Sequence, residues 1–196
     1  SEIPNNTKGY LVIRNPWPGM LLTLWNNDQK YRSVYWSKYP NCYYPGDYAL
    51  KDDDGYLWLL GRADDVLKIA GHRIGTAELE SCLVSDENVS ESAVCGIPDN
   101  IKGESIIAFV VLKDGVSVDE ITLEKNLFNK IRIDIGPIAT PKKIYFVKKL
   151  PKTRSGKIMR RLLKSIANGE KIGDTSTLDD ESAVNEIQKI INNFSK

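Results

Sequence analysis

GRADDVLKIAGHRIGTAELE, residues 61–80, is where the character of the chain changes. Gly61-Arg62-Ala63-Asp64-Asp65 closes a β-rich stretch, and an ion pair of Arg62 with Asp64 or Asp65 would account for its charges locally. Beyond it the pattern turns helical. Thr76 is placed to cap a helix, Glu78 and Glu80 suit the positive end of its dipole, and Leu79 and Leu83 share one face. From Asp65 onward strand and helix patterns alternate, which predicts an α+β domain: a small β-sheet flanked by helices.

Downstream, Val89 to Ile97 alternates as a strand, and Ser105 to Leu112 is apolar enough for a central one. Ser117-x-x-Glu120 has the spacing of a capping box. It opens a helix that carries Leu123, Leu127 and Ile131 on one stripe and stops at Gly136-Pro137. Ile144 and Phe146 mark another strand, and a core helix is expected from about Ile158 to Ala167, ended by Gly169. Asp179 or Asp180 would cap a last helix with Val184, Ile187, Ile191 and Phe194 aligned.

Upstream, Tyr10 to Ile13 is a strand pattern broken by Pro16-Trp17-Pro18-Gly19, and Asn26 or Asp28 would cap a short helix through Tyr35. Tyr48 to Lys51 and Tyr56 to Leu60 flank Asp52-Asp53-Asp54-Gly55, a hairpin signal. These sixty residues lack a self-sufficient core pattern. They read as the β-rich end of a preceding domain, residues 1–62, followed by a second domain over 63–196.

Charge excludes several classes. The chain has 196 residues, 27 of them basic and 26 acidic, so no global field points to nucleic acid or an anionic membrane. Cys42, Cys82 and Cys95 are odd in number and lack metal-ligand spacing, and the single histidine, His72, cannot complete a zinc site. Reduced thiols in a cytoplasmic compartment fit. The longest apolar run, Ile106 to Leu112, is far short of the ~20 residues that span a bilayer, and the first residues lack the charged start and hydrophobic core of a secretory signal.

A second stretch, LPKTRSGKIMRR at 150–161, concentrates basic charge. Gly156 and small polar neighbours let the backbone approach a ligand, and Lys157 is expected at a helix start, where a cation opposes the dipole and an anionic ligand would relieve the conflict. A Walker A loop is excluded, because Pro151 stands where its first glycine belongs and Ile158 replaces its Ser/Thr. From Lys142 to Lys164 there are ten cations and no acid, so a solvated basic surface is the alternative. Nucleic-acid binding is disfavoured by the lack of a recognition-helix context.

The two stretches together resemble the hinge and the catalytic-lysine loop of the acyl-adenylate-forming enzymes, and most closely those of the acetyl-CoA synthetases. Arg14 to Met20 (RNPWPGM) and Gly173 to Leu178 (GDTSTL) are similar to segments of the acetyl and propionyl branch. The family's Gly/Ser/Thr-rich phosphate loop is absent from these residues. The resemblance therefore implies the C-terminal part of an AMP-forming acetate–CoA ligase whose N-terminal domain lies outside the chain, with the fragment alone catalytically silent. It implies ATP, Mg2+ and CoA as the small-molecule set, and acetate or another short carboxylate as the acyl donor.

The resemblance also assigns roles. Lys157 would bridge substrate carboxylate and α-phosphate, and a lysine acetyltransferase and deacetylase would switch it by removing and restoring its charge. Asp47, in Tyr43-Tyr44-Pro45-Gly46-Asp47, would accept the ribose hydroxyls beside Arg62, although Pro45 departs from the family's threonine. Arg73 would meet phosphate oxygens. Asp64 would be the hinge. Ala70 and Gly71 would line the path of the CoA pantetheine, with alanine where the relatives often carry serine, and Arg132 would contact the CoA nucleotide. Val84, Asp86 and Val89 match a cation site built largely from backbone carbonyls, with Asp86 at a position often held by histidine. Two other classes stay open: a peptide-synthetase adenylation module with a carrier-protein partner, and a noncatalytic CoA- or nucleotide-binding module or acetylation target.

Overall fold

The computed structural model describes residues 2–194, and the chain falls into two units, Ser1–Val66 and Leu67–Lys196. The first unit is a three-stranded antiparallel sheet of β1 (Lys8–Tyr10), β2 (Asp47–Lys51) and β3 (Leu57–Arg62), in the order β1-β2-β3. The β2–β3 hairpin expected around Asp52–Gly55 is present. Gly55 takes φ 89°, and the Asp52 carboxylate accepts bonds from Tyr56 N and Trp58 Nε1, each at 2.8 Å. The first strand begins earlier than its pattern indicated: Lys8 to Tyr10 pair with β2, whereas Ile13 makes only an isolated bridge to Tyr43.

Between these strands lies α1 (Asp28–Tyr35). Its cap is neither Asn26 nor Asp28 but Asn27, whose side chain accepts from Lys30 N. Asn26 is spent on the turn before it, at φ 52°, and Asp28 pairs with Arg32 one turn on. Trp25 and Leu22 are about nine-tenths exposed, and every side chain from Tyr56 to Leu59 is more than half exposed.

The second unit is built on a five-stranded sheet. β4 (Leu67–Ile69) and β5 (His72–Ile74) form a hairpin, followed by α2 (Thr76–Val84), β6 (Val89–Asp99), β7 (Gly103–Leu112), α3 (Glu120–Asp134), β8 (Lys143–Phe146), α4 (Arg160–Ala167) and α5 (Glu181–Phe194). The order is β5-β4-β7-β6, with β8 parallel to β7. β7 decides the layering. Ile106, Ala108 and Val110 join one core with α2 and α3 residues such as Leu79, Leu83, Leu127 and Ile131, while Ile107 and Phe109 join another with Leu162, Leu163, Val184 and Ile187. A strand apolar on both faces needs helices on both, and the sheet has them. The Phe194 side chain lies outside the described residues.

Three caps differ from the sequence pattern. Thr76 is the first buried residue of α2 and not its cap, which is Gly75 with no side-chain bond. α3 is capped by Asp119, whose carboxylate accepts from Thr122 N and Oγ1, so Ser117 lies outside the helix. α4 starts at Arg160, two residues later than expected, because Ile158 is held in a bridge to Lys152. At α5 the Asp180 carboxylate accepts from Ser182 N at 2.8 Å.

The β6–β7 turn carries an acid-sensitive lock. Asp99 accepts from Ser105 Oγ and from the amides of Lys102 and Ile101, and these bonds hold its pKa down to about 2. A depressed carboxylate contributes stability above its unfolded pKa near 3.8 and loses it as pH falls toward 2. Asp99→Asn is therefore expected to be less stable than the parent at pH 6, with the gap narrowing below pH 3.8 and closing only below about pH 2. Urea midpoints followed by circular dichroism would check this; a gap that stays constant would refute it.

Candidate functional site

In the first unit the structure brings Asp47, Arg62 and Asp64 together. Asp47 opens β2 and Arg62 closes β3, and the register sets them directly opposite each other. The Arg62 guanidinium donates to Pro45 O at 2.7 Å and to Asp64 Oδ1 at 3.1 Å, and lies 3.6 Å from Asp47 Oδ1. One local partner, Asp64, and two remote ones, Pro45 and Asp47, are thus engaged by a single half-exposed cation. Gly46 is required for this. Its φ is 88°, and a Cβ there would stand 2.6 Å from an Arg62 guanidinium nitrogen. Ala63 N bonds Gly46 O and Asp65 N bonds Arg62 O, so residues up to Val66 stay with the first unit; the sequence had placed the domain limit at Arg62.

Lys157 sits on a hairpin rather than a helix start, which removes the dipole conflict inferred from sequence. Thr153 N donates to Lys157 O, Met159 N to Pro151 O and Gly156 N to Thr153 O, and Gly156 turns the chain at φ 82°. The Thr153 hydroxyl accepts from Lys157 N and bonds Ser155 Oγ. Half of the basic run around it pairs with distant acids: Lys143 with Glu124, Lys149 with Asp180, Lys152 with Glu91, Arg160 with Glu80 and Lys164 with Glu104. The exposed Lys157 ammonium has no carboxylate partner among the described residues. The fold thus breaks the run with ion pairs at five positions, and Lys157 is not one of them.

Ala70 and Gly71 form the two-residue turn of the β4–β5 hairpin, at φ 47° and 85°. Both central residues lie in the left-handed region, as a type I′ turn demands, and a non-glycine residue there is held against its preference. Ala70 N bonds Lys102 O at 2.8 Å, which joins this turn to the β6–β7 turn. Arg73 lies exposed on β5, and Arg132 is exposed in the last turn of α3, where its charge suits the helix terminus.

Val84 ends α2, and Asp86 and Val89 follow it. Asp86 Oδ1 accepts from both Asn88 N and Asn88 Nδ2, and Asp86 O accepts from Val89 N. Among the described residues no group of three or more His, Cys, Asp or Glu side chains could hold a metal ion. What remains for a hard cation is one Asp86 carboxylate oxygen and backbone carbonyls. Among the described residues no helix is long and apolar enough to cross a membrane. The three cysteines are free, and burial together with Asp134 raises the pKa of the Cys82 thiol.

The two loops of the second unit sit at opposite ends of one sheet. The Ala70–Gly71 turn is tied to the Asp99–Gly103 end of β6 and β7, through Lys102 and the Ile69–Gly103 bridge. The Lys157 hairpin is tied to the other end of β6, through Lys152 and Glu91. At about 3.4 Å per residue, Glu91 and Asp99 are roughly 25 Å apart.

Sequence reasoning missed Glu80. Its carboxylate takes a bidentate bond from Arg160, at 2.8 and 2.6 Å, and one from Val94 N on the open edge of β6, while Ser92 Oγ bonds Glu80 O. The sequence set Glu80 near the helix start, but it is the fifth residue of α2, and its partner eighty residues on was not visible.

Residues 78–157 match the family described as AMP-binding enzyme C-terminal domain. The chain is 59% identical over 189 residues to an acetyl-coenzyme A synthetase of Pyrobaculum arsenaticum, covering 96% of this chain and 28% of that protein. It is 48% identical over 191 residues to a 3-hydroxypropionyl-coenzyme A synthetase of Metallosphaera sedula, covering 96% and 29%. In structure it is similar to an acetoacetyl-CoA synthetase from Streptomyces lividans, with a TM-score of 0.85 at 23% identity, over 98% of this chain and 29% of that one. The chain thus spans less than a third of the length of the relatives it matches.

Proposed function

We propose, for a chain that belongs to the acyl-adenylate-forming enzymes and corresponds to the C-terminal part of the acetyl-coenzyme A synthetases, that the full-length protein is an AMP-forming acetate–CoA ligase. In the first step the carboxylate attacks the α-phosphorus of ATP, giving acyl-AMP and releasing pyrophosphate. In the second the CoA thiol adds to the acyl carbon, loses its proton, and AMP leaves as the thioester forms. Mg2+ enters bound to ATP.

The observation that carries the proposal is the placement of the Lys157 hairpin and the Ala70–Gly71 turn at opposite ends of one sheet. Two loops so far apart on a rigid unit cannot serve one reaction centre together, whereas a unit that turns about Asp64 would present them in succession. Lys157, paired with no carboxylate among the described residues, would bring two anions together for the first step. Gly71, lacking a side chain, would leave room for pantetheine in the second, with Arg132 on the CoA nucleotide. Asp47 would hold the ribose hydroxyls with Arg62 beside it, and Arg73 would reach phosphate oxygens. A cation at Val84, Asp86 and Val89 would have a structural role only. Acetylation of Lys157 by a lysine acetyltransferase would silence the first step, and a cytoplasmic location fits an enzyme that draws on ATP and CoA.

The test is pyrophosphate–ATP exchange by the full-length protein. Exchange that depends on acetate is expected; none with any short carboxylate would overturn the proposal. The similarity to a 3-hydroxypropionyl-coenzyme A synthetase favours a second acyl donor, so 3-hydroxypropionate and propionate belong in the same assay. The acyl pocket is not among these residues, and the isolated chain is expected to make no acyl-CoA.

A further inference from the structure

The Lys157 hairpin has a third strand that lies beyond the family domain match, which ends at residue 157. Thr153 is bridged to Leu178, Arg154 N donates to Thr177 O at 3.2 Å, and Asp179 N donates to Lys152 O at 2.9 Å. On its other edge the segment Pro151–Thr153 pairs with Lys157 and Met159. The middle strand is therefore bonded on both sides. Leu178 is buried in the same core as Val184 and Ile187 of α5, and Leu178 N closes a turn onto Thr175 O. A hairpin tip rich in glycine and small residues would otherwise fluctuate, because an exposed two-stranded ribbon is marginal alone.

We propose that residues 177–179 are positioning residues for the first half-reaction: as an added strand they hold the turn that aims Lys157. This rests on the reading of Lys157 given above. The strand acts on one end of the sheet only, so it should leave the Ala70–Gly71 turn and the second half-reaction alone.

The test uses the full-length protein with Asp179→Pro, which removes the donor to Lys152 O, and Asp179→Ala, which keeps it while removing an exposed side chain. Acyl-AMP formation from acetate and ATP is scored apart from thioester formation from supplied acetyl-AMP and CoA. Asp179→Pro is expected to lower kcat of the first by at least tenfold with KM for ATP within about twofold, and to leave the second within twofold. Amide exchange in peptide 152–158 should quicken. Asp179→Ala should match the parent in all of these. No loss in Asp179→Pro, equal loss in both half-reactions, or equal loss in Asp179→Ala would each overturn the proposal. Lys157→Ala run alongside separates the two levels: if it spares acyl-AMP formation, the role of Lys157 itself is wrong.

Discussion

Lys157→Ala in the full-length protein is expected to slow acyl-AMP formation about a thousandfold while leaving thioester formation from acetyl-AMP and CoA nearly intact. The magnitude follows from electrostatics. A carboxylate and a phosphate must approach each other, and a cation about 4 Å from an anion contributes on the order of 4 kcal/mol at an effective dielectric near 20. At about 1.4 kcal/mol per tenfold, the loss is close to three decades. The selectivity follows from the sheet, since the hairpin that bears Lys157 and the Ala70–Gly71 turn are tied to opposite ends of the β6–β7 pair. Lys157→Arg keeps the charge but not the compact ammonium, and should recover only part of the rate. Persistence of both half-reactions in Lys157→Ala would leave the lysine as an ordinary surface cation.

Glu80→Ala is expected to have the largest effect on stability. Glu80 closes the open edge of β6 by accepting from Val94 N and grips α4 through Arg160. Its side chain is 12% exposed and that of Arg160 29%, so truncation strands a largely buried amide and takes a bidentate partner from a mostly buried cation. Removing one partner of such a pair costs about 2–3 kcal/mol. In a unit of this size that is roughly 10 °C in melting temperature. The chain supplies its own control. All four tryptophans, Trp17, Trp25, Trp36 and Trp58, lie in the first unit, whereas four of the five α-helices among the described residues lie in the second. The helical transition seen by circular dichroism should fall while the tryptophan transition stays put. A joint shift, or none, would mean that Glu80 does not hold the second unit together.

What could be read from the sequence was whatever depends on short-range periodicity. The double apolar face of β7, the Leu123-Leu127-Ile131 stripe of α3 and the Asp52–Gly55 turn all appear where their patterns put them. Caps were less legible, because neighbouring polar residues compete. Asn27 prevails over Asn26 and Asp28, and Asp119 over Ser117, according to which backbone amide each side chain reaches. The β4–β5 hairpin was hidden by Ala70, which is not a residue that announces a left-handed turn. The third strand at Thr177–Asp179 was hidden because its partners are set by the packing of α5 and not by any local preference. At the candidate site the residue types were visible, with Lys157, Arg62 and Asp47 standing in their motifs. Their electrostatic state was not, because the acids that pair with half of the basic run, from Glu80 to Glu124, come from other elements.

The exposed face of β3 has a practical side. It is an outer strand of its sheet, and Leu57, Trp58 and Leu59 are all more than half exposed on it. A free edge dressed in apolar side chains invites other chains to pair with it, and natural sequences usually guard such edges with charge or proline. The first unit carries no such guard along Leu57–Leu60. Prepared by itself, the chain should be colloidally fragile at its β-rich end, however firmly the second unit folds. Substituting lysine at Leu57 or Leu59 is the remedy that the geometry suggests.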